Sequence, residues 1–249
     1  MTTALEVKKW LRPVLKQHPD LVLVGRNLII PPVHHILRGI FFDASWDKQL
    51  CRPIWYAGAM FMFNSESDSP PFDIHEQYSL KRSNEENFPS HVTVKTEEVL
   101  QFDFSRVYTV EQYINFSKDA EVATDGRDSR IIPHRPFHYA VAVSALSDLD
   151  AAEQKIVAAA AWWERGSIAA ARQADEWRAK GAVAIARDTE QTAISHGTIA
   201  RHLGALRDLV QRRDRAGIGD LLRSWEFDRA KALKIDHLWE PTAFPVEMS

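Results

Sequence analysis

The sequence predicts an α+β protein in two parts: an amino-terminal mixed or antiparallel sheet of roughly four to six strands with flanking helices, then an all-helical carboxy-terminal region. Three observations carry this reading. Ten of the 12 prolines lie at or before Pro136, among the β-branched and aromatic clusters that favour strands. Alanine then takes over, with 14 alanines between Ala151 and Ala186, the residue of highest helix propensity. From Asp150 onward 15 basic residues balance 15 acidic ones, so the net charge of −3 belongs to residues 1–149. The polar stretch Lys118–Arg130, with its Asp125-Gly126 turn signal, places the boundary: a domain over 1–130 and a helical domain or extension over 131–249.

Each element has its own signal. Leu5, Trp10, Leu11 and Val14 share one helical face, predicting a helix from Thr3 to Lys16. Leu21–Val24 and Leu28–Ile30 flank Gly25-Arg26-Asn27 as a hairpin, closed off by Pro31-Pro32. His35–Phe42 and Ile54–Phe63 read as central strands. Asn64–Asn87, rich in Ser, Asp, Glu and Pro, reads as a long mobile excursion in which Gln77–Lys81 pairs briefly. The alternation of Val92 and Val94 with Thr93 and Lys95 predicts a half-buried strand over His91–Lys95. Thr109 with Gln112 forms a capping-box pattern for a short helix to Phe116. His138–Leu146 is ambiguous between helix and strand. Leu149, Ala152, Ile156, Ala159 and Trp163 define a helix expected to stop at Gly166, with Ser167 capping the next. Ile199, Leu203, Leu206 and Val210 define a further helix ended by Gly217 and Gly219, and Phe227–Leu238 a last one.

Several function classes are excluded by what the chain lacks. At 45% apolar and 26% charged it is ordinary globular material. No run of roughly 18 uncharged apolar residues exists to span a membrane, and the near-neutral charge makes no electrostatic case for nucleic acid. Cys51 is the only cysteine, so an intramolecular disulfide and a thiolate zinc cluster are both excluded, and the cytoplasm is the expected compartment. No phosphate loop, dinucleotide fingerprint or GxSxG elbow occurs. A lowered thiol pKa for Cys51 beside Arg52 is less expected than a half-buried structural cysteine.

The candidate chemistry is thin. His34 and His35 after the Pro-Pro pair, with Arg38 and Asp43 nearby, form the best enzyme-like set, but strand alternation puts His35 and Arg38 on opposite faces. His134 and His138 have zinc-helix spacing, with His75 or Glu76 as a possible third ligand. Arg135 stands where the helix would need its glutamate, so no metal and no cofactor are expected. Arg201, Arg212 and Arg215 gather on one helical projection, flanked by Arg207 and Arg213, as a solvated face or a phosphate contact. Trp162 and Trp163 sit about 100° apart on a helix, so one enters the core and the other meets a second surface. The leading expectation is a non-catalytic intracellular binding or assembly component, of accessory or immunity type, whose partner is another protein or itself and which engages no membrane. The alternatives are a hydrolase-like enzyme using His34, His35, Arg38 and Asp43, and a phosphate or nucleic-acid binder using the Arg201–Arg215 face.

Overall fold

The computed structural model describes residues 2–43, 50–62, 74–77, 80–81, 87–100, 108–115 and 136–249. It is an α+β protein that divides into two compact units, one formed by Met1–Pro133 with Trp225–Thr242, the other by His134–Ser224 with Ala243–Ser249. The expected boundary at Lys118–Arg130 lies outside the described residues, and so does most of the expected excursion Asn64–Asn87.

In the first unit, Thr3 caps α1 (Ala4–Trp10) through a reciprocal box with Glu6. The predicted single helix is two. Pro13 has no amide to donate and its ring crowds the preceding turn, so the chain breaks at Leu11 and restarts as α2 (Arg12–Gln17) with proline in its first turn. β1 (Val22–Val24) and β2 (Asn27–Ile29) pair through a turn in which Gly25 has φ +61°, a left-handed conformation natural to glycine. β3 (Ile36–Asp43) pairs with β2 and with β4 (Leu50–Ala59), which starts four residues earlier than the sequence suggests. β5 (Ile74–Gln77) and β6 (Leu80–Lys81) both pair with β4, giving an antiparallel sheet in the order β1-β2-β3-β4-β5 with β6 off that path.

The predicted strand over His91–Lys95 is wrong: α3 runs from Phe88 to Leu100. Val92 and Val94 alternate, yet burial follows Phe88, Val92 and Thr96, spaced by four, while Val94 is 57% exposed. A five-residue window is too short to separate the two periods. α3 packs with α1 and α2, where Trp10 meets Phe88 edge-on at 5.0 Å and His18 lies 2.8 Å from Glu97. The Thr109–Gln112 box forms and opens α4 over residues 110–115.

In the second unit the ambiguous segment is helical, α5 (Pro136–Ser144). α6 (Leu149–Ala179) is capped by Asp148 and runs straight through Gly166. An interior glycine costs about 1 kcal/mol, a small penalty in a 31-residue helix packed along its length on a neighbour. Ser167 is no cap: its hydroxyl donates across to the Ala193 carbonyl at 2.9 Å. The turn comes at Gly181, with φ +75°, and leads to α7 (Val183–Gln211). Gly217 and Gly219 do not end α7. They lie inside α8 (Arg215–Ala232), which replaces the expected Phe227–Leu238 helix and whose residues from Trp225 onward belong to the first unit. A 3-10 turn, Pro245–Glu247, follows.

Candidate functional site

Two places hold more than fold maintenance requires, one in each unit. In the first unit the sheet face made by Ile29, Leu37, Tyr56 and partly buried Phe41 packs with Val33, Met60, Ala230, Leu233 and Ile235. The chain leaving α8 returns beside the segment between β2 and β3. Trp239 bridges Val33, the Leu238 carbonyl accepts from the Val33 amide, and the Glu240 amide donates to the Val33 carbonyl at 2.9 Å. Here His35, at the entry to β3, meets a carboxylate 191 positions away in sequence. Its Nδ1 lies 2.9 Å from Glu226 Oε1, and its Nε2 lies 3.1 Å from Thr242 Oγ1. Trp239 Nε1 donates to the other Glu226 oxygen at 3.3 Å. The Glu226 side chain is fully buried and that of His35 is 10% exposed. With Glu226 ionised and the ring neutral, Nδ1 is the nitrogen that carries the proton, because a carboxylate only accepts, and Nε2 then accepts from the Thr242 hydroxyl.

The set proposed from sequence does not assemble. His34 faces the return segment, its Nδ1 3.1 Å from the Glu240 carbonyl oxygen. Arg38 points to the opposite sheet face, buried, with its guanidinium 3.9 Å from the centroid of the Tyr108 ring. Burial pushes the Arg38 pKa down, against hydrogen bonding and charge from Tyr108. Asp43 ends β3 opposite Arg52, eight strand residues or about 26 Å from His35. Of the four, only His35 reaches the site, and its partners Glu226 and Thr242 were not among the candidates. One signal was present. Leu222, Glu226, Ala230 and Leu233 recur at three- and four-residue steps, so a carboxylate stands on an apolar stripe, which it rarely does without a partner.

The second place is the α6–α7 hairpin. Beyond Trp163 its buried facing residues are Ala170, Ala174, Ala186 and Ala193, while Ile168, Val183, Ile185 and Ile194 are exposed. Ser167, Ala171, Ala174, Ala193, Gly197 and Ile194 line a groove of about 510 Å³ along one flank. Across the hairpin, Arg178 joins Asp175 and Glu190 at the tip end of the groove (2.6 and 3.0 Å), and Arg201 stands at the other end, donating to Thr198. On the opposite flank Trp163 is buried and Trp162 is 50% exposed. The two rings meet edge-on at 4.8 Å, and His196 packs 4.7 Å from Trp163.

The basic face does not gather. Arg215 belongs to α8 and donates to the Val246 carbonyl and the Ser249 hydroxyl, and Arg213 pairs with Asp150. Arg207 pairs with Asp208, and Arg212 is exposed at the end of α7. Among the described residues no three His, Cys, Asp or Glu gather as a metal-binding group. His134 lies outside them, as do the side chains of His75, Glu76 and His138. Cys51 is buried. No described helix is long and apolar enough to cross a membrane. No family model matches this chain, and neither a curated protein nor a solved structure resembles it.

Proposed function

We propose that the protein is a binding or assembly component whose working surface is the α6–α7 hairpin, and that its first partner is a second copy of the same hairpin. The observation that carries this reading is the inversion along the distal hairpin: alanines fill the seam while Ile168 and Ile194 stand in solvent. Alanine buries little area, whereas a large apolar side chain contributes about 1.5–3 kcal/mol when covered.

Shape and charge favour a like partner. Ile194 projects beside a floor of Ala171 and Gly197. In a two-fold pairing each isoleucine fills the other copy's floor, the reciprocal contact an isologous dimer requires. Toward the tip Asp175 and Glu190 flank Arg178, leaving one net negative charge, and Arg201 stands toward the base, so an antiparallel pairing sets opposite net charges together. Beyond Trp163, α6 spans about 25 Å, and a face two helices wide there offers on the order of 500 Å² per partner, at the small end of specific interfaces. Trp162, on the other flank, remains available to a second partner. The single cysteine fits a cytoplasmic setting.

Sedimentation equilibrium of the full chain tests the reading. Ile194→Glu should convert a dimer to a monomer without loss of helical circular dichroism. A wild-type chain that stays monomeric across the micromolar range contradicts it.

A further inference from the structure

We propose that Thr242, His35 and Glu226 form a hydroxyl–imidazole–carboxylate relay in which Thr242 is the nucleophile of an acyl-transfer site for small carboxylic esters. The order of the contacts is what nucleophilic catalysis needs. Glu226 holds Nδ1–H at 2.9 Å, which fixes the tautomer and ring plane, and Nε2 faces the threonine hydroxyl at 3.1 Å. Trp239 fixes the carboxylate through its second oxygen. Phe61 packs edge-on to the imidazole at 6.4 Å. The carboxylate is sealed from water, while Thr242 is partly exposed and the preceding Glu240 and Pro241 are exposed. The hydroxyl thus lies at the surface end of a relay whose other end is buried.

A fold-maintenance role asks less than this. The return segment is already held to the chain between β2 and β3 by two backbone hydrogen bonds to Val33, so the buried carboxylate is not needed to pin it. Burying an ionised group costs several kcal/mol unless it is matched.

The reaction balances without a cofactor. Thr242 Oγ attacks the ester carbonyl carbon while His35 Nε2 takes the hydroxyl proton. The carbon–oxygen bond to the leaving alkoxide breaks, and that alkoxide takes the proton back from His35. Water then attacks the acyl-threonine, giving its proton to Nε2, and the acid departs as Thr242 recovers its proton. Glu226 touches no reacting atom and is a positioning residue.

An alkyl fluorophosphonate is the probe, since it forms a stable phosphonyl ester on an activated hydroxyl with release of fluoride. Intact-mass analysis and peptide mapping of the full chain should find one adduct at Thr242. Thr242→Val should abolish it, Thr242→Ser should retain it, and Glu226→Gln should slow labelling by roughly tenfold or more while the fold is kept, as judged by circular dichroism. An unlabelled Thr242 in the wild-type chain overturns the proposal, and so does labelling that is unchanged in Glu226→Gln. The readout is independent of self-association through the hairpin, so the two proposals fail separately.

Discussion

Gly39 shows how tightly individual residues are held. A Cβ added there meets the Leu28 carbonyl on the neighbouring strand and the Tyr56 hydroxyl at 2.8 Å. Backbone on one side cannot yield, so Gly39→Ala should cost about 1–3 kcal/mol, read as a lower urea midpoint with unchanged slope. Tyr56 itself is fully buried and donates to Asn27 at 2.6 Å. Burial pushes its pKa up from the ordinary phenol value, more than the Asn27 hydrogen bond pulls it down. The sign follows from linkage. Above about pH 10 the unfolded chain releases this proton while the folded one keeps it, so stability falls as pH rises through the alkaline range. Tyr56→Phe should therefore flatten the alkaline decline in unfolding free energy relative to wild type, and an identical slope contradicts the assignment. At this scale the sequence was least informative. His35 was visible as a candidate, but Glu226 and Thr242 reach it across 191 and 207 positions, and no local pattern reports a contact of that range.

At the scale of elements, local signals were read well where one force dominated. The Thr109 cap, the Gly25 turn and the central strand β3 all stand where their residue types require, whereas Thr3, expected inside the first helix, is its cap. Errors arose where packing outweighed a local preference. Gly166 reads as a stop, yet its missing Cβ makes room for His196, whose Nδ1 lies 2.9 Å from where that Cβ would be. Gly166→Ala should therefore disturb the Trp162–Trp163–His196 cluster, seen as altered near-ultraviolet circular dichroism and tryptophan emission, with far-ultraviolet helicity kept. Unchanged aromatic signals would show that His196 does not depend on that space. Trp162→Ala should leave self-association through the groove intact, because its ring stands on the other flank.

At the scale of the molecule, residues far from α7 complete the helical unit. Phe244 and Val246 are fully buried, and the Val246 amide donates to the Ala145 carbonyl at 3.0 Å. Burial alone pushes the Glu247 carboxyl pKa up, but hydrogen bonds from Arg223 and the Phe244 amide prevail and hold it below its ordinary value. Its contribution is present above the unfolded carboxylate pKa and is lost as pH falls through the lowered one. Phe244→Ala should destabilise the helical unit by about 3–5 kcal/mol, measured by thermal unfolding. Assembly itself is tested most directly by charge exchange across the groove, followed by sedimentation equilibrium. Asp175→Arg and Arg201→Asp should each weaken the dimer, and the two combined in one chain should restore it, because antiparallel pairing sets position 175 of one copy beside position 201 of the other. A double variant no tighter than either single one, or a wild-type chain that never dimerises, would contradict the account.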